Sequence, residues 1–204
     1  MTIPGSDGER KLQRRYGTQN RAQAFYKKQT ICYLNDAMRQ FIKKQEMVFI
    51  ATADSRGECD CSFRGGLPGF VCVLDEKRMV FPEYRGNGVM ASLGNISANP
   101  HIGMWFGDFY DTAIGLHVNG KASIEENEAI KEWPELPESV ARDLAVSGGS
   151  KAERWILVEV EEAYIHCSKH VPHLKKLDKK INWGTDDDTC KGGDFFRAND
   201  TERH

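Results

Sequence analysis

MVFIATADSRGECDCSFRGGLPGFVCVLDEKRMVFP, residues 47–82, is the stretch on which the fold turns. Met47 to Ala51 is a continuous apolar run, too short for a free-standing helix, and it reads as a strand buried on both faces. Asp54-Ser-Arg-Gly57 is a turn in which Gly57 supplies a positive φ. Cys59 to Phe63 reads as the return strand of a hairpin. Phe70 to Leu74 is a third strand, Asp75-Glu-Lys a turn, and Arg78 to Pro82 a fourth strand. Short strands joined by tight turns pair antiparallel, because a parallel pair needs a crossover of a dozen or more residues.

On the N-terminal side, residues 18–46 carry a helical pattern. Ala22, Phe25, Tyr26, Leu34, Met38, Phe41 and Ile42 recur at spacings of three and four, and Thr18 stands as an N-cap. Residues 1–17 are charged and poor in apolar side chains, which predicts a mobile arm. On the C-terminal side, Gly88 to Asn99 reads as a short helix with Val89, Leu93 and Ile96 on one side and Pro100 after its end. Ile102 to Phe106 and Ile114 to Ser123 read as further strands. A polar connection (125–151) leads to Trp155–Val160 and Tyr164–Cys167, two late strands or one bent one. Residues 168–181 read as a basic helix and 184–204 as a polar tail. The sum is a mainly β chain: an antiparallel barrel or sandwich with flanking helices.

Composition narrows the function classes. The 204 residues hold 30 acidic and 28 basic side chains, a net charge of −2, which argues against a non-specific binder of nucleic acid. No apolar run approaches the ~20 residues of a membrane span. Arg14-Arg15 is followed by no hydrophobic stretch, so neither a secretory nor a twin-arginine signal is expected. Six cysteines are too sparse for a disulfide-stapled scaffold and read as reduced thiols of a cytoplasmic protein. No dinucleotide fingerprint or phosphate-binding P-loop occurs.

Two glycine-rich stretches carry the polar chemistry. They are Ser62-Phe-Arg-Gly-Gly-Leu-Pro-Gly69 and Pro82-Glu-Tyr-Arg-Gly-Asn-Gly88. The second runs into the short helix, whose N-terminal N–H groups and partial positive charge suit a phosphate. Arg85 offers a bidentate clamp, and Asn87 a cap or an amide donor. The alternative is that both stretches are hairpin turns closed by glycine. Trp105 is a candidate wall of a pocket or a core aromatic. Cys59 and Cys61, with His166, Cys167, His170 and His173, use zinc-binding residue types. A C-x-C pair on a strand lacks the usual spacing and has no second pair to match, so no metal is assigned. Lys169, Lys175, Lys176, Lys179 and Lys180 read as a solvated face; Trp183 alone does not make a stacking platform for single strands.

The order of these features resembles the pyridoxamine 5′-phosphate oxidase-like family of FMN-binding split barrels. The likeness runs through ATADSRGECDCSFRGGLPGFVCVLD (51–75) and MVFPEYRGNGVMASLGNISANPHIGMWFGDF (79–109). It continues weakly through HVNGKA (117–122) to AYIHCSKH (163–170), and so covers roughly residues 30–180. The resemblance implies a six-stranded antiparallel split β-barrel with an N-terminal helical arm, its single domain at 18–183. It implies a homodimer with FMN at the subunit interface and a small-molecule substrate or electron donor. Carried over, the FMN site comprises Ser62, Arg64, Gly65, Tyr84, Arg85, Asn87 and Gly88 around the phosphate, with Pro82 and Glu83 along the isoalloxazine edge. Trp105, His166, Lys169 and His170 are further pocket candidates.

Three departures shape the expected reaction. Gly65-Gly66-Leu67-Pro68 and Gly86-Asn87-Gly88 stand where the oxidase proper carries an arginine-to-lysine strand pattern and a Ser-Arg-Lys-type loop, and its C-terminal Arg-x-His pattern is not evident. The expectation is therefore a related FMN-dependent oxidoreductase acting on another substrate, with no catalytic acid or base assigned. The alternative is a non-catalytic flavin, deazaflavin or haem binding or sensor module on the same fold, with His166 and His170 as the haem-ligand candidates.

Overall fold

The structure is a computed structural model and describes residues 5–146, 152–185 and 187–200. The parts of the expected arm, connection and tail at 1–4, 147–151, 186 and 201–204 lie outside the described residues. In chain order the elements are α1 (Asp7–Tyr16), α2 (Gln19–Gln29), β1 (Thr30–Ile31), α3 (Asp36–Lys43), β2 (Met47–Ala53) and β3 (Cys59–Gly65). Then follow β4 (Cys72–Val73), β5 (Arg78–Tyr84), α4 (Ala91–Ala98), β6 (His101–Gly107), β7 (Gly115–Glu125), α5 (Asn127–Lys131), α6 (Glu138–Ala145) and β8 (Ala152–His166).

Among the described residues, one antiparallel sheet runs β3-β2-β6-β7-β8-β5-β4, with the two-residue β1 also paired to β8. Its six long strands are the split barrel expected from the sequence. The sheet does not close: β3 and β4 remain its edges. The β2–β3 hairpin is set by Asp54, whose Oδ1 accepts from the Arg56 and Glu58 N–H groups at 2.8 and 2.9 Å. This side-chain mimic of a turn fixes the register that pairs Val48 with Arg64 and Ile50 with Ser62.

The barrel interior holds Val48 and Ile50 of β2, Met79 and Phe81 of β5, Met104 and Phe106 of β6, Val118 of β7 and Val158 of β8, all buried. Ile42 of α3 and Leu93 and Ile96 of α4 cap it. A bulge keeps the long strand β8 in phase with this core. Asn119 pairs with Glu162 but Gly120 with Val160, so Val160 and Ala163 both face inward. The approach at the bulge is so close that a Cβ on Gly120 would stand 2.1 Å from the Glu159 carbonyl oxygen. On the other side of β5 and β8, Val80, Ala152 and Trp155 meet Ile130 of α5 and Val140 of α6 in a second small core.

Several local expectations are corrected. Met47–Ala51 is not buried on both faces: Val48 and Ile50 point inward, Phe49 is half-buried and Ala51 exposed. One face of that strand lines the core and the other looks outward, the ordinary arrangement in an antiparallel sheet. The first arm residues are helical, because Ser6 and Glu9 form a reciprocal capping box at the start of α1. Thr18 stands at the N-cap of α2 without a side-chain cap bond, and the 18–46 helix breaks around β1. Phe70–Leu74 is a strand only at Cys72–Val73. Helix α4 starts at Ala91 rather than Gly88, since Gly88 and Met90 have φ of +80° and +56°, outside helical space. The connection 125–151 contains α5 and α6.

The basic helix over 168–181 does not form; only Ser168–His170 makes a single 3-10 turn. Pro172 withholds a backbone donor and disfavours helix before it. Tertiary bonds then hold the segment irregular. The Leu174 N–H donates to the Phe109 carbonyl at 2.8 Å, and Lys176 pairs with Glu46. Among the described residues no helix is long and apolar enough to cross a membrane.

Candidate functional site

The inner row of edge strand β3 presents Asp60, Ser62 and Arg64, one residue in two, as the strand period requires. Across the open side of the barrel stand Glu83 and Tyr84 at the end of β5. Between them the chain 85–90 enters α4, and Glu153 and Arg154 arrive from the start of β8, where Arg154 pairs with Glu83. Together these segments enclose a cavity of about 750 Å³ lined by Asp60, Ser62, Arg64, Glu83, Tyr84, residues 85–93, Glu153 and Arg154. That size suits a cofactor. Helix α4 is fastened to the wall by two bonds, Ser92 Oγ to Asp60 Oδ2 at 3.2 Å and Asn95 Nδ2 to Thr52 Oγ1 at 3.1 Å.

The 85–90 loop forms the entry to α4. Its N-cap residue, Met90, has no capping side chain, so the first-turn N–H groups lack an intrahelical acceptor. Asn87 Oδ1 accepts from the Val89 N–H at 3.0 Å and holds the loop's curve. A Cβ built on Gly86 or Gly88 meets nothing within 4 Å. Gly88 has a φ of +80°, which favours glycine in the turn, and neither glycine packs against a neighbour, so the space in front of this backbone is open.

Arg64 and Glu83 bridge two strands that are not sheet neighbours. Arg64 Nε donates to Glu83 Oε2 at 2.9 Å and Nη2 to Oε1 at 3.1 Å, with 18% and 15% of the two side chains exposed. Nη1 donates to Ser62 Oγ at 2.6 Å and to the Phe63 carbonyl at 3.1 Å. Tyr84 donates its hydroxyl to Asp143 Oδ2 at 3.4 Å, and Trp183 stacks on its ring at 6.3 Å. Burial, reinforced by the Asp143 carboxylate, pushes the Tyr84 phenol far above its ordinary range, so it stays a donor.

Of the residues named from the sequence, Ser62, Arg64, Glu83, Tyr84, Arg85, Asn87 and Gly88 line this one cavity. Pro82 is buried in the sheet opposite Trp155, and Gly65 lies under the Trp183 ring, so neither lines it. Trp105 and His166 are on the outer face of the sheet. Trp105 meets Phe49, Phe109 and His166 edge-on or tilted, and His166 Nδ1 lies 3.0 Å from His117 Nε2. Lys169 and His170 are exposed in the 3-10 turn. Among the described residues no group of three or more His, Cys, Asp or Glu side chains is placed to hold a metal.

Sequence reading missed Asp60, Glu153 and Arg154. Their approach is set by strand pairing between distant segments, for which no local motif exists. It also missed His117, which is stacked on Tyr164 at 4.7 Å. A second cavity of about 780 Å³ lies between α1, α2 and the outer face of β7 and β8, and is lined by Glu9, Arg21, Tyr26, Thr30, Glu162 and Tyr164 among others. It holds none of the site residues named from the sequence.

Comparison with known proteins follows the same lines. No curated protein sequence matches the chain. Among solved structures, HupZ of Group A Streptococcus is 18% identical over 69% of this chain and 98% of its own, with a TM-score of 0.46. A protein related to general stress protein 26, of the pyridoxinephosphate oxidase family, from Clostridium acetobutylicum is 14% identical over 70% of this chain and 90% of its own, with a TM-score of 0.40. HutZ, the heme storage protein from Vibrio cholerae, is 15% identical over 63% of this chain and 89% of its own, with a TM-score of 0.38. A family model described as pyridoxamine 5′-phosphate oxidase matches residues 34–167, from the buried Leu34 to the end of β8. The chain belongs to the pyridoxamine 5′-phosphate oxidase family.

Proposed function

We propose that this protein is an FMN-binding flavoprotein that acts as an oxidoreductase on a substrate other than pyridoxamine phosphate, as a cytoplasmic homodimer. The observation that carries the reading is the cavity at the open side of the barrel, where the uncapped entry to α4 faces the β3 and β5 side chains. The phosphate would rest against the first-turn N–H groups of α4, with Arg85 and Asn87 at its flank and Gly86 and Gly88 giving it room. Ser92 and Asn95 hold that helix in place. Bound FMN supplies hydride and electron-transfer chemistry; the protein's share is binding and orientation. A dimer would cover the outer face of the sheet, where Phe63 is exposed beside Phe49 and Trp105.

The haem reading, as a binding or sensor module, would use His166 or His170. His166 is bonded to His117 on the outer face and His170 is exposed, both away from the cavity. A flavin or deazaflavin binder is the better fit to the cavity.

Absorbance and fluorescence titrations with FMN and with haem separate these readings. The expected result is saturable FMN uptake, bleaching of the bound flavin by a reduced nicotinamide, and a sedimentation mass of two chains. Replacing Arg85 and Asn87 together by Ala should weaken FMN roughly tenfold or more, the loss of one or two charge-assisted bonds. Failure to take up FMN at saturation sinks the proposal, and uptake without reduction by any donor moves it to the binding module.

A further inference from the structure

Arg64 has five N–H donors, as every arginine does. Four of them are already placed within the chain: two on Glu83, one on Ser62 Oγ and one on the Phe63 carbonyl. The two side chains are mostly out of solvent. An incoming phosphate that took the Arg64 fork would strand the Glu83 carboxylate without its counter-ion, beside a second anion. Breaking a largely buried pair in that way is strongly unfavourable. The cavity as a whole is charge-balanced: Asp60, Glu83 and Glu153 face Arg64, Arg85 and Arg154.

Glu83 is the half of the pair with capacity to spare. Each carboxylate oxygen has a second lone pair beyond the one that Arg64 occupies. It lines the cavity and presents acceptors there. Arg64 fixes the carboxylate's plane by side-on bidentate contact, and Ser62 fixes Arg64 in turn. What such an acceptor recognises is an O–H or N–H donor rather than an anion. The last residue of the fork's partner strand leads directly into the 85–90 loop, so Glu83 stands one short span from the proposed phosphate position. In a flavin nucleotide the group at that span is the ribityl polyol.

We infer that Arg64 is not a phosphate ligand in this protein but a positioning residue, and that the Glu83 carboxylate it locks selects ligands by accepting hydrogen bonds from ribityl hydroxyls. The inference rests on the flavin reading above. It predicts that the two halves of the nucleotide are read by separate parts of the cavity.

The test uses the full chain stripped of bound cofactor, with three probes: FMN, riboflavin and lumiflavin, which has no ribityl chain. The variant is R64M/E83Q, which removes both charges together and leaves neither stranded; far-ultraviolet circular dichroism and the melting temperature confirm folding. A second variant, E83Q alone, keeps Arg64 in place should the double variant not fold. The expected result is that FMN and riboflavin weaken by the same factor, roughly tenfold for a lost charge-assisted bond, while lumiflavin is unchanged. In the wild type FMN binds more tightly than riboflavin, and that ratio survives the substitutions. A loss confined to FMN puts Arg64 on the phosphate and overturns the inference. An equal loss for all three probes, or none for any, makes the pair purely structural and also overturns it. Wild-type protein that binds none of the probes removes the flavin reading, and this inference with it.

Discussion

Asn127 is the buried polar hinge between α5 and the start of β8, and its replacement by Ala gives the sharpest stability test. Its side chain is 6% exposed. Nδ2 donates to the Ala152 and Glu153 carbonyls at 3.1 and 3.3 Å, and Oδ1 accepts from Trp155 Nε1 at 2.9 Å. Trp155 is 1% exposed, so the indole N–H has no water to turn to. Asn127→Ala orphans that donor at about 1–3 kcal/mol and forfeits two carbonyl bonds at about 0.5–1.5 kcal/mol each. The sum is roughly 2–6 kcal/mol. For a chain of this size each kcal/mol moves Tm by about 2–4 °C, so differential scanning calorimetry should show a fall of roughly 4–24 °C. Trp155→Phe removes the donor itself, and in the cycle N127A, W155F and the double variant the coupling should reach about 1–3 kcal/mol. The same substitution loosens Glu153 and Arg154, which line the candidate site, so ligand affinity should fall with stability. A Tm loss below about 2 °C, or no coupling in the cycle, would refute the reasoning; the indole would then have another partner in solution.

Gly120→Ala should leave little folded protein, since its methyl would stand 2.1 Å from the Glu159 carbonyl and the β7–β8 bulge would have to reopen; soluble yield and circular dichroism report it. His117 is held below its ordinary value of 6.5 by burial and then by His166. Below 6.5 the unfolded chain therefore binds more protons than the folded one, so the stability His117 contributes is present above 6.5 and lost as pH falls through its lowered folded value. Melting curves of H117Q should accordingly depend less on pH between 6.5 and 5 than those of wild type, and a slope identical to wild type would contradict the assignment. S92A/N95A removes both bonds that fasten α4 to the barrel wall; it should cost about 1–3 kcal/mol in denaturant unfolding and weaken FMN, and unchanged FMN affinity would detach α4 from the site.

The strands of residues 47–82 and their turns were legible one segment at a time. The presence of short strands, the Asp54 turn and the glycine-rich approach to α4 depend on neighbours a few residues apart, and short-range physics acts alike in sequence and in fold. The family order of these segments then pointed to the split barrel and to seven residues that do line one cavity. The basic stretch 168–181 shows the limit. Its Leu and Lys spacing suits a helix, but Pro172 and the bonds to Phe109 and Glu46 decide otherwise. The contact of Arg64 with Glu83, nineteen residues apart, and of His117 with His166, forty-nine apart, had no local signal. Strand register brings His166 beside His117 on the neighbouring strands β7 and β8, whereas Arg64 meets Glu83 across the open side of the barrel, and both depend on which faces bury apolar surface across the whole sheet. Residue types thus named the candidates for a phosphate site, whereas the approach of β3 to β5 across the open side of the barrel decided that Arg64 is held by Glu83.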